Sequence, residues 1–140
     1  SLYHGAALHI HGAIGASVQN CNFQRLDNNA IILTGFTRNV SIANNTARWL
    51  GMNFAAAWGD TNGVDATAGN QPQYTTLAGN LIGELGIFEK QSSFWFQAKS
   101  CLTKIVDNIV FNLPRAAINF NGQYVAWSLC SLAEVDCGCL

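Results

Sequence analysis

The chain has few charged residues, and this scarcity excludes several classes of protein. Charged side chains form 11% of its 140 residues, against roughly 25% in ordinary globular domains. The formal net charge of −1 provides no basic surface for nucleic acid and no acidic tail. Hydrophobic residues form 49% of the chain, so the composition is unlike that of disordered proteins, which combine low hydrophobicity with high net charge.

Long apolar runs and an initiator methionine are also missing. No run of about 18 apolar residues is present, so we expect no membrane-spanning helix. The chain begins with Ser1-Leu2-Tyr3 and shows no basic region followed by an apolar stretch. We therefore expect a fragment of a longer protein, in which a signal peptide would lie upstream.

What the sequence does contain is an internal repeat. Segments align at successive offsets of 24, 35 and 28 residues, and the alignment produces three columns. The first column holds Val18, Ile42, Leu77 and Ile105; the second holds Cys21, Asn45, Asn80 and Asn108; the third holds Leu26, Leu50, Leu85 and Leu113. A period of 20–50 residues is typical of solenoids, in which each unit buries its apolar face against its neighbours.

Stacking explains why these residue types recur. Equivalent positions in stacked strands lie about 4.8 Å apart, so aliphatic side chains form an internal row and inward asparagines form a hydrogen-bonded ladder. Short apolar segments bounded by Gly, Asn or Pro supply the strands of one series: 30–33, 54–58, 94–98 and 117–120. The pattern predicts an all-β parallel β-helix of about four rungs over residues 1–122. An irregular, non-repeating tail follows over 123–140.

The best-defined rung, Arg38-Asn39-Val40-Ser41-Ile42-Ala43-Asn44-Asn45, resembles the pectate-lyase-like β-helix superfamily. The similarity extends over about residues 7–121. Within it, segments 58–61, 84–93 and 114–121 resemble a group of uncharacterised "right handed beta helix region" proteins. The resemblance implies a single-stranded right-handed parallel β-helix and a secreted, carbohydrate-active protein, but no particular reaction, because one fold supports many chemistries.

Insertions point to the binding face. Rung two contains an inserted loop, residues 60–72, and rung three contains another, residues 86–93. Insertions in solenoids usually lie on one face, which often binds ligand. We expect stacking to bring the charged residues around these loops toward one edge of that face. These charged residues are Asp60, Glu89, Lys99 and Arg115.

Each candidate residue has a chemical rationale. Asp60 and Glu89 are the predicted acid and base, since glycoside hydrolysis needs two carboxylates about 5–10 Å apart. Arg115 and Lys90 are expected to neutralise a uronate carboxylate, as lyases and epimerases require. The predicted substrate-binding residues are Trp58, Trp95, Gln97, Lys99, Asn119 and Asn121: the tryptophans would stack on sugar rings, and the amides would bond hydroxyl groups from the outward side of the sheet.

Metal sites are the weaker hypothesis. Asp60 and Asp65 together with loop carbonyls are an alternative Ca²⁺ site, because that ion takes oxygen ligands; otherwise we expect no cofactor. His9 and His11 lie two apart and share one face of a strand, but no third ligand is near them in sequence. We expect them to be polar residues at the edge of the fold.

Two functions remain open. The first is an extracellular carbohydrate-active enzyme of the polysaccharide lyase, hydrolase or epimerase type, acting on the loop-bearing face. The alternative is a non-catalytic module for glycan binding or adhesion. The sequons Asn39-Val40-Ser41 and Asn44-Asn45-Thr46 agree with secretion. The expected partner is a polysaccharide or other glycan, with no nucleic acid and no membrane span in this segment.

Overall fold

The computed structural model describes residues 5–60 and 67–121, and these residues form an all-β structure with no helix. Short strands follow one another along the chain. They are β1 (Ala6–His11), β2 (Ser17–Gln19), β3 (Asn22–Leu26), β4 (Asn29–Thr34), β5 (Thr37–Arg38), β6 (Ser41–Ala43), β7 (Thr46–Leu50), β8 (Ala55–Trp58), β9 (Pro72–Gln73), β10 (Thr76–Ala78), β11 (Leu81–Gly83), β12 (Trp95–Ala98), β13 (Lys104–Val106), β14 (Ile109–Phe111) and β15 (Ile118–Phe120).

Every strand pair is parallel, and the chain visits the sheets in a fixed order. Sheet 1 has the order β1-β4-β8-β12-β15, sheet 2 has β2-β6-β10-β13, sheet 3 has β3-β7-β11-β14, and sheet 4 is the pair β5-β9. After β1, the chain passes through sheets 2, 3 and 1 four times in succession. We call each such passage a repeat. The arrangement is compatible with a β-solenoid.

The predicted aliphatic column is confirmed. Val18 pairs with Ile42, Ile42 with Leu77, and Leu77 with Ile105, in one register across sheet 2. Ile42 and Leu77 are fully buried, and all four side chains belong to or pack against one hydrophobic core. The side chains of this column therefore point from sheet 2 into the core, as the sequence alignment predicts.

The asparagine column is a hydrogen-bonded ladder, as expected. The Asn45 side-chain amide donates to Asn80 Oδ1 at 3.0 Å, and the Asn80 amide donates to Asn108 Oδ1 at 2.8 Å. The backbone N–H of each residue also donates to the Oδ1 of the next asparagine. Cys21 ends the ladder, since its backbone N–H donates to Asn45 Oδ1 at 3.0 Å but its side chain has no amide.

A second ladder lies at the entrance to sheet 1, and the sequence alignment did not identify it. The Asn53 backbone N–H and side-chain amide both donate to Asn29 Oδ1, at 3.1 and 2.8 Å. The Ser93 N–H then donates to Asn53 Oδ1 at 2.8 Å. All three residues are buried, so this ladder satisfies backbone groups that the bend into sheet 1 would otherwise leave unpaired.

Aromatic rings fill the core between the sheets. Phe54 lies between Phe23, whose ring it meets edge-on at 6.1 Å, and Phe94, on which it stacks at 5.6 Å. In the fourth repeat the inward side chains Ile105 and Ile118 are only partly buried. The packing is therefore most complete in the middle repeats.

Left-handed corners recur in register, and only some of them carry the residues expected. The corner between sheets 2 and 3 has positive φ at Asn20, Asn44 and Gly79, in agreement with the prediction of Gly and Asn there, and at Asp107, where an aspartate takes the position. The corner after sheet 3 has positive φ at Arg25, Trp49, Glu84 and Asn112. Left-handed backbone costs roughly 1–2 kcal/mol for a residue with a Cβ, so stacking on neighbouring corners must hold these side chains in place.

Within the described part of the chain, no helix is long and apolar enough to cross a membrane. The predicted tail, 123–140, lies outside the described residues, as does Gly122 at the end of the predicted repeat region.

Candidate ligand-binding site

The outward face of sheet 1 presents two rows of side chains that cross its five strands. Strand alternation turns every second residue away from the core, and the pairing register aligns those residues from strand to strand. The first row is His9, Ile32, Ala56, Phe96 and Asn119; the second is His11, Thr34, Trp58 and Ala98, followed by Asn121, whose N–H donates to Gln97 O.

An aromatic pair lies in the middle of these rows. Trp58 and Phe96 stack with ring centroids 6.0 Å apart and planes 19° from parallel. Each ring has an alanine as its neighbour in the same row, Ala98 beside Trp58 and Ala56 beside Phe96. Because alanine is short, both rings stand clear of the sheet and remain partly exposed.

A cavity of about 560 Å³ opens over this aromatic pair. The volume lies within the range of about 300–1,000 Å³ that small-molecule sites occupy. Five predicted site residues line it, namely Trp58, Glu89, Arg115, Asn119 and Asn121. The sequence analysis did not select the other lining residues, which are Met52, Asn53, Ala56, Gln91, Phe96 and Phe120.

The loop of residues 86–93, which we call the wall loop, forms one side of the cavity. The Glu89 N–H donates to Gly51 O at 3.0 Å, which fixes the loop against the approach to β8. Lys90 Nζ donates to the carbonyls of Gly86 and Ile87, at 2.8 and 3.1 Å. The Lys90 ammonium group therefore hydrogen-bonds within its own loop, and Lys90 does not line the cavity.

The polar rim combines one carboxylate, one guanidinium and several amides. Glu89 Oε1 accepts the Gln91 N–H at 3.0 Å, and Arg115 Nη1 donates to Gln91 Oε1 at 3.0 Å. Gln91 thus connects the two charged residues, which share the wall of the cavity. Glu89 is half-buried and Arg115 is exposed. Asn119 and Asn121 face them from β15 and the residue after it.

The prediction that Trp95 and Gln97 face a ligand is wrong. Trp95 is fully buried and Gln97 is 7% exposed, and both point into the core. The Trp95 indole N–H donates to Gln97 Oε1 at 2.9 Å, and the Gln97 amide donates to Ser100 O at 2.7 Å. Gln97 therefore satisfies a buried indole, and Phe96, between these two residues, takes the outward position.

The expectation that stacking brings Asp60, Glu89, Lys99 and Arg115 to one edge is also wrong. Glu89 and Arg115 lie where the chain enters sheet 1. Asp60 and Lys99 follow the carboxyl ends of β8 and β12, and neither lines the cavity. Asp60 and Glu89 thus lie at opposite ends of β8. Asp65, the other residue of the Ca²⁺ hypothesis, lies outside the described residues.

Comparison with protein-family models, with curated proteins and with solved structures finds no match for this chain.

Proposed function

We propose that the chain is a single-stranded right-handed parallel β-helix of the pectate-lyase-like type, and that its sheet 1 face binds glycans outside the cell. The fold proposal is supported by three columns of equivalent residues and by the fixed order in which the chain visits its sheets. An experimentally determined structure in which the four repeats wind left-handed would refute the proposed handedness.

The observation that carries the function is the partly exposed Trp58–Phe96 pair at the base of a polar-rimmed cavity. An aromatic ring packs its face against the apolar C–H face of a sugar, while amides and charged groups at the rim bond the hydroxyls. Asn119, Asn121 and Gln91 supply such amides on two sides of the pair.

The geometry favours binding over hydrolysis. Among the described residues that line the cavity, Glu89 is the one carboxylate, and hydrolysis of a glycosidic bond uses two. Asp60, the expected second carboxylate, lies at the other end of β8. One oxygen of Glu89 also accepts a backbone N–H within its own loop, which is typical of a residue that shapes a loop.

A lyase or epimerase is the second candidate, and the shared position of Glu89 and Arg115 favours it. A base beside a cation that neutralises a uronate carboxylate is the pair such enzymes need. In this alternative Glu89 removes the proton and Arg115 binds the carboxylate. This candidate predicts acidic polysaccharides as substrates, whereas simple binding at the aromatic pair has no such requirement.

A glycan panel distinguishes these functions. Binding is measured by calorimetry, and turnover is measured by reducing-end release and by the ultraviolet absorbance of unsaturated products. For a binding module we expect saturable binding without products. Phe96→Ala should weaken that binding at least about tenfold, or about 1.4 kcal/mol. Phe88→Ala is the matched control, since Phe88 is 70% exposed and does not line the cavity.

Each result has a defined meaning. Products that disappear in Glu89→Gln while binding persists would establish the lyase-type alternative. Binding that is equal in the Phe96→Ala and Phe88→Ala chains would refute the sheet 1 site. Failure to bind any neutral or acidic glycan would refute the glycan function altogether.

A further inference from the structure

Two histidines of β1 converge on a single oxygen atom. His9 Nε2 lies 2.7 Å from Thr34 Oγ1, and His11 Nδ1 lies 2.9 Å from the same atom. A hydroxyl group has one proton, so it donates to one ring and accepts an N–H from the other. Each imidazole therefore has one nitrogen directed at the same point in space.

Two paired strands fix this arrangement. His11 lies opposite Thr34 in the β1–β4 register, and His9 precedes it by two residues on the same outward face. The two rings meet edge-on, with centroids 6.3 Å apart and planes at 70°. Gly35 leaves the space in which the His11 ring lies, since a Cβ at residue 35 would be 2.7 Å from His11 Cε1.

We propose that His9, His11 and Thr34 form a surface site for a divalent transition-metal ion, with Cu²⁺ bound more tightly than Ni²⁺ or Zn²⁺. Imidazole nitrogen suits these three ions, and Cu²⁺ has the highest affinity in the divalent series. A metal–nitrogen bond of about 2.0–2.1 Å is shorter than both nitrogen–hydroxyl distances, so the Thr34 hydroxyl must give up its position between the rings when one ion bonds both nitrogens. Thr34 is then a positioning residue that bonds a metal-bound water.

The site is an open one. No group of three His, Cys, Asp or Glu side chains that could hold a metal occurs within residues 5–60 and 67–121. Two protein nitrogens therefore bind the ion, and water fills the other coordination positions. The site shares no residue with the lining of the glycan cavity, although Thr34 pairs with Trp58 in the β4–β8 register. The metal proposal consequently does not depend on the proposed function.

Calorimetric titration of CuCl₂ into the whole chain tests the site, with electron paramagnetic resonance to identify nitrogen ligands. We expect one ion bound at this site, with nitrogen hyperfine splitting. His9→Ala and His11→Ala should each weaken binding by at least about tenfold, because even outer-shell partners of a metal site contribute 10–100-fold. Thr34→Val should weaken binding by about tenfold, and Thr34→Ser, which keeps the hydroxyl, should restore it.

Controls keep a negative result interpretable. His4→Ala, at a histidine outside the described residues, should leave the affinity unchanged, and circular dichroism should show that every variant keeps its strand content. Copper affinity that is equal in the unmodified chain and in a His9→Ala/His11→Ala double variant would overturn the site. Loss of binding in His4→Ala alone would likewise overturn it. Equal affinities for Thr34→Val and Thr34→Ser would remove Thr34 from the proposal.

Discussion

Replacement of Asn80 by alanine tests whether the asparagine ladder holds the repeats together. Asn80 is 1% exposed and lies in the middle of the ladder. Its Oδ1 accepts the Asn45 backbone N–H and side-chain amide, both at 3.0 Å, and its own amide donates to Ile42 O at 2.9 Å and to Asn108 Oδ1 at 2.8 Å. Asn80→Ala therefore leaves the two Asn45 donors and the Ile42 carbonyl without these partners, and Asn108 Oδ1 loses one of its two donors.

The structure sets the expected size of the effect. A buried polar group that loses its partner costs about 1–3 kcal/mol, so three such groups predict a loss of at least about 3 kcal/mol. The free energy of unfolding of a domain is about 5–15 kcal/mol, so this single change removes a substantial part of it. The Asn80 backbone N–H keeps its bond to Asn108 Oδ1, so that oxygen retains a donor and is not counted among the three groups.

Urea unfolding followed by far-ultraviolet circular dichroism measures the loss as a shift of the midpoint at constant slope. Asn22→Ala is the matched control, because Asn22 is exposed and its Oδ1 accepts only an exposed Thr46 hydroxyl, at 3.1 Å. We expect the control to change stability by less than about 0.5 kcal/mol. If Asn80→Ala costs no more than Asn22→Ala, the ladder does not stabilise the fold and the reasoning is refuted.

Three further changes follow from the packing. Cys21→Asn adds an amide beside Asn45 Oδ1 and should stabilise by about 1 kcal/mol, whereas Cys21→Ser should not; thermal melts compare the two. Phe54→Ala removes the central ring of the aromatic stack and should cost about 3–5 kcal/mol in urea unfolding. Gly51→Ala would place a Cβ 2.0 Å from the Asp27 carbonyl oxygen and should lower stability by about 3 kcal/mol, measured by the same titration.

Each of these has a contrary outcome. Equal melting temperatures for Cys21→Asn and Cys21→Ser would mean that the ladder gains nothing from another member. If Phe54→Ala lowers the free energy of unfolding by less than about 1 kcal/mol, neighbouring core side chains move into the space left by the ring. An unchanged midpoint for Gly51→Ala would mean that the backbone at Asp27 moves aside at little cost.

The sequence predicted the regular part of the fold because stacking repeats the same environment at fixed offsets. The Val18–Ile42–Leu77–Ile105 column and the asparagine ladder are confirmed: in register, the aliphatic side chains share one core and the asparagines hydrogen-bond to one another. The second ladder was missed because its third member is Ser93, which joins it through the backbone N–H while its side-chain Oγ has no hydrogen-bond partner.

The orientation of β12 could not be predicted from its composition. Trp95 and Phe96 are adjacent aromatic residues, so hydrophobicity does not decide which of them faces the core. The pairing register does decide it: Gln97 lies opposite Phe120, while Phe96 lies opposite Asn119. A buried glutamine is tolerated here because the Trp95 indole and the Ser100 carbonyl satisfy it, and a sequence alone does not reveal these partners.

The candidate site was predictable only in part, for a similar reason. Glu89 and Arg115 come together because the wall loop folds back on the entrance to sheet 1, whereas Asp60 follows the other end of its strand. Loop insertions indicate a face but do not indicate which end of a strand a side chain occupies. The convergence of His9 and His11 on Thr34 depends on a strand pairing 23 residues away in sequence.

The two ladders have opposite directions, and this has a consequence for a chain made from its amino end. At the Asn45–Asn80 corner, the backbone N–H of the asparagine in each repeat donates to the Oδ1 of the asparagine in the following repeat, so it lacks this acceptor until the following repeat is present. At the Asn29–Asn53 corner, the newly made repeat donates to an oxygen that is already in place. During synthesis, the Asn29–Asn53 corner therefore has its acceptor ready for the next repeat, while the Asn45–Asn80 corner remains incomplete until that repeat has been made.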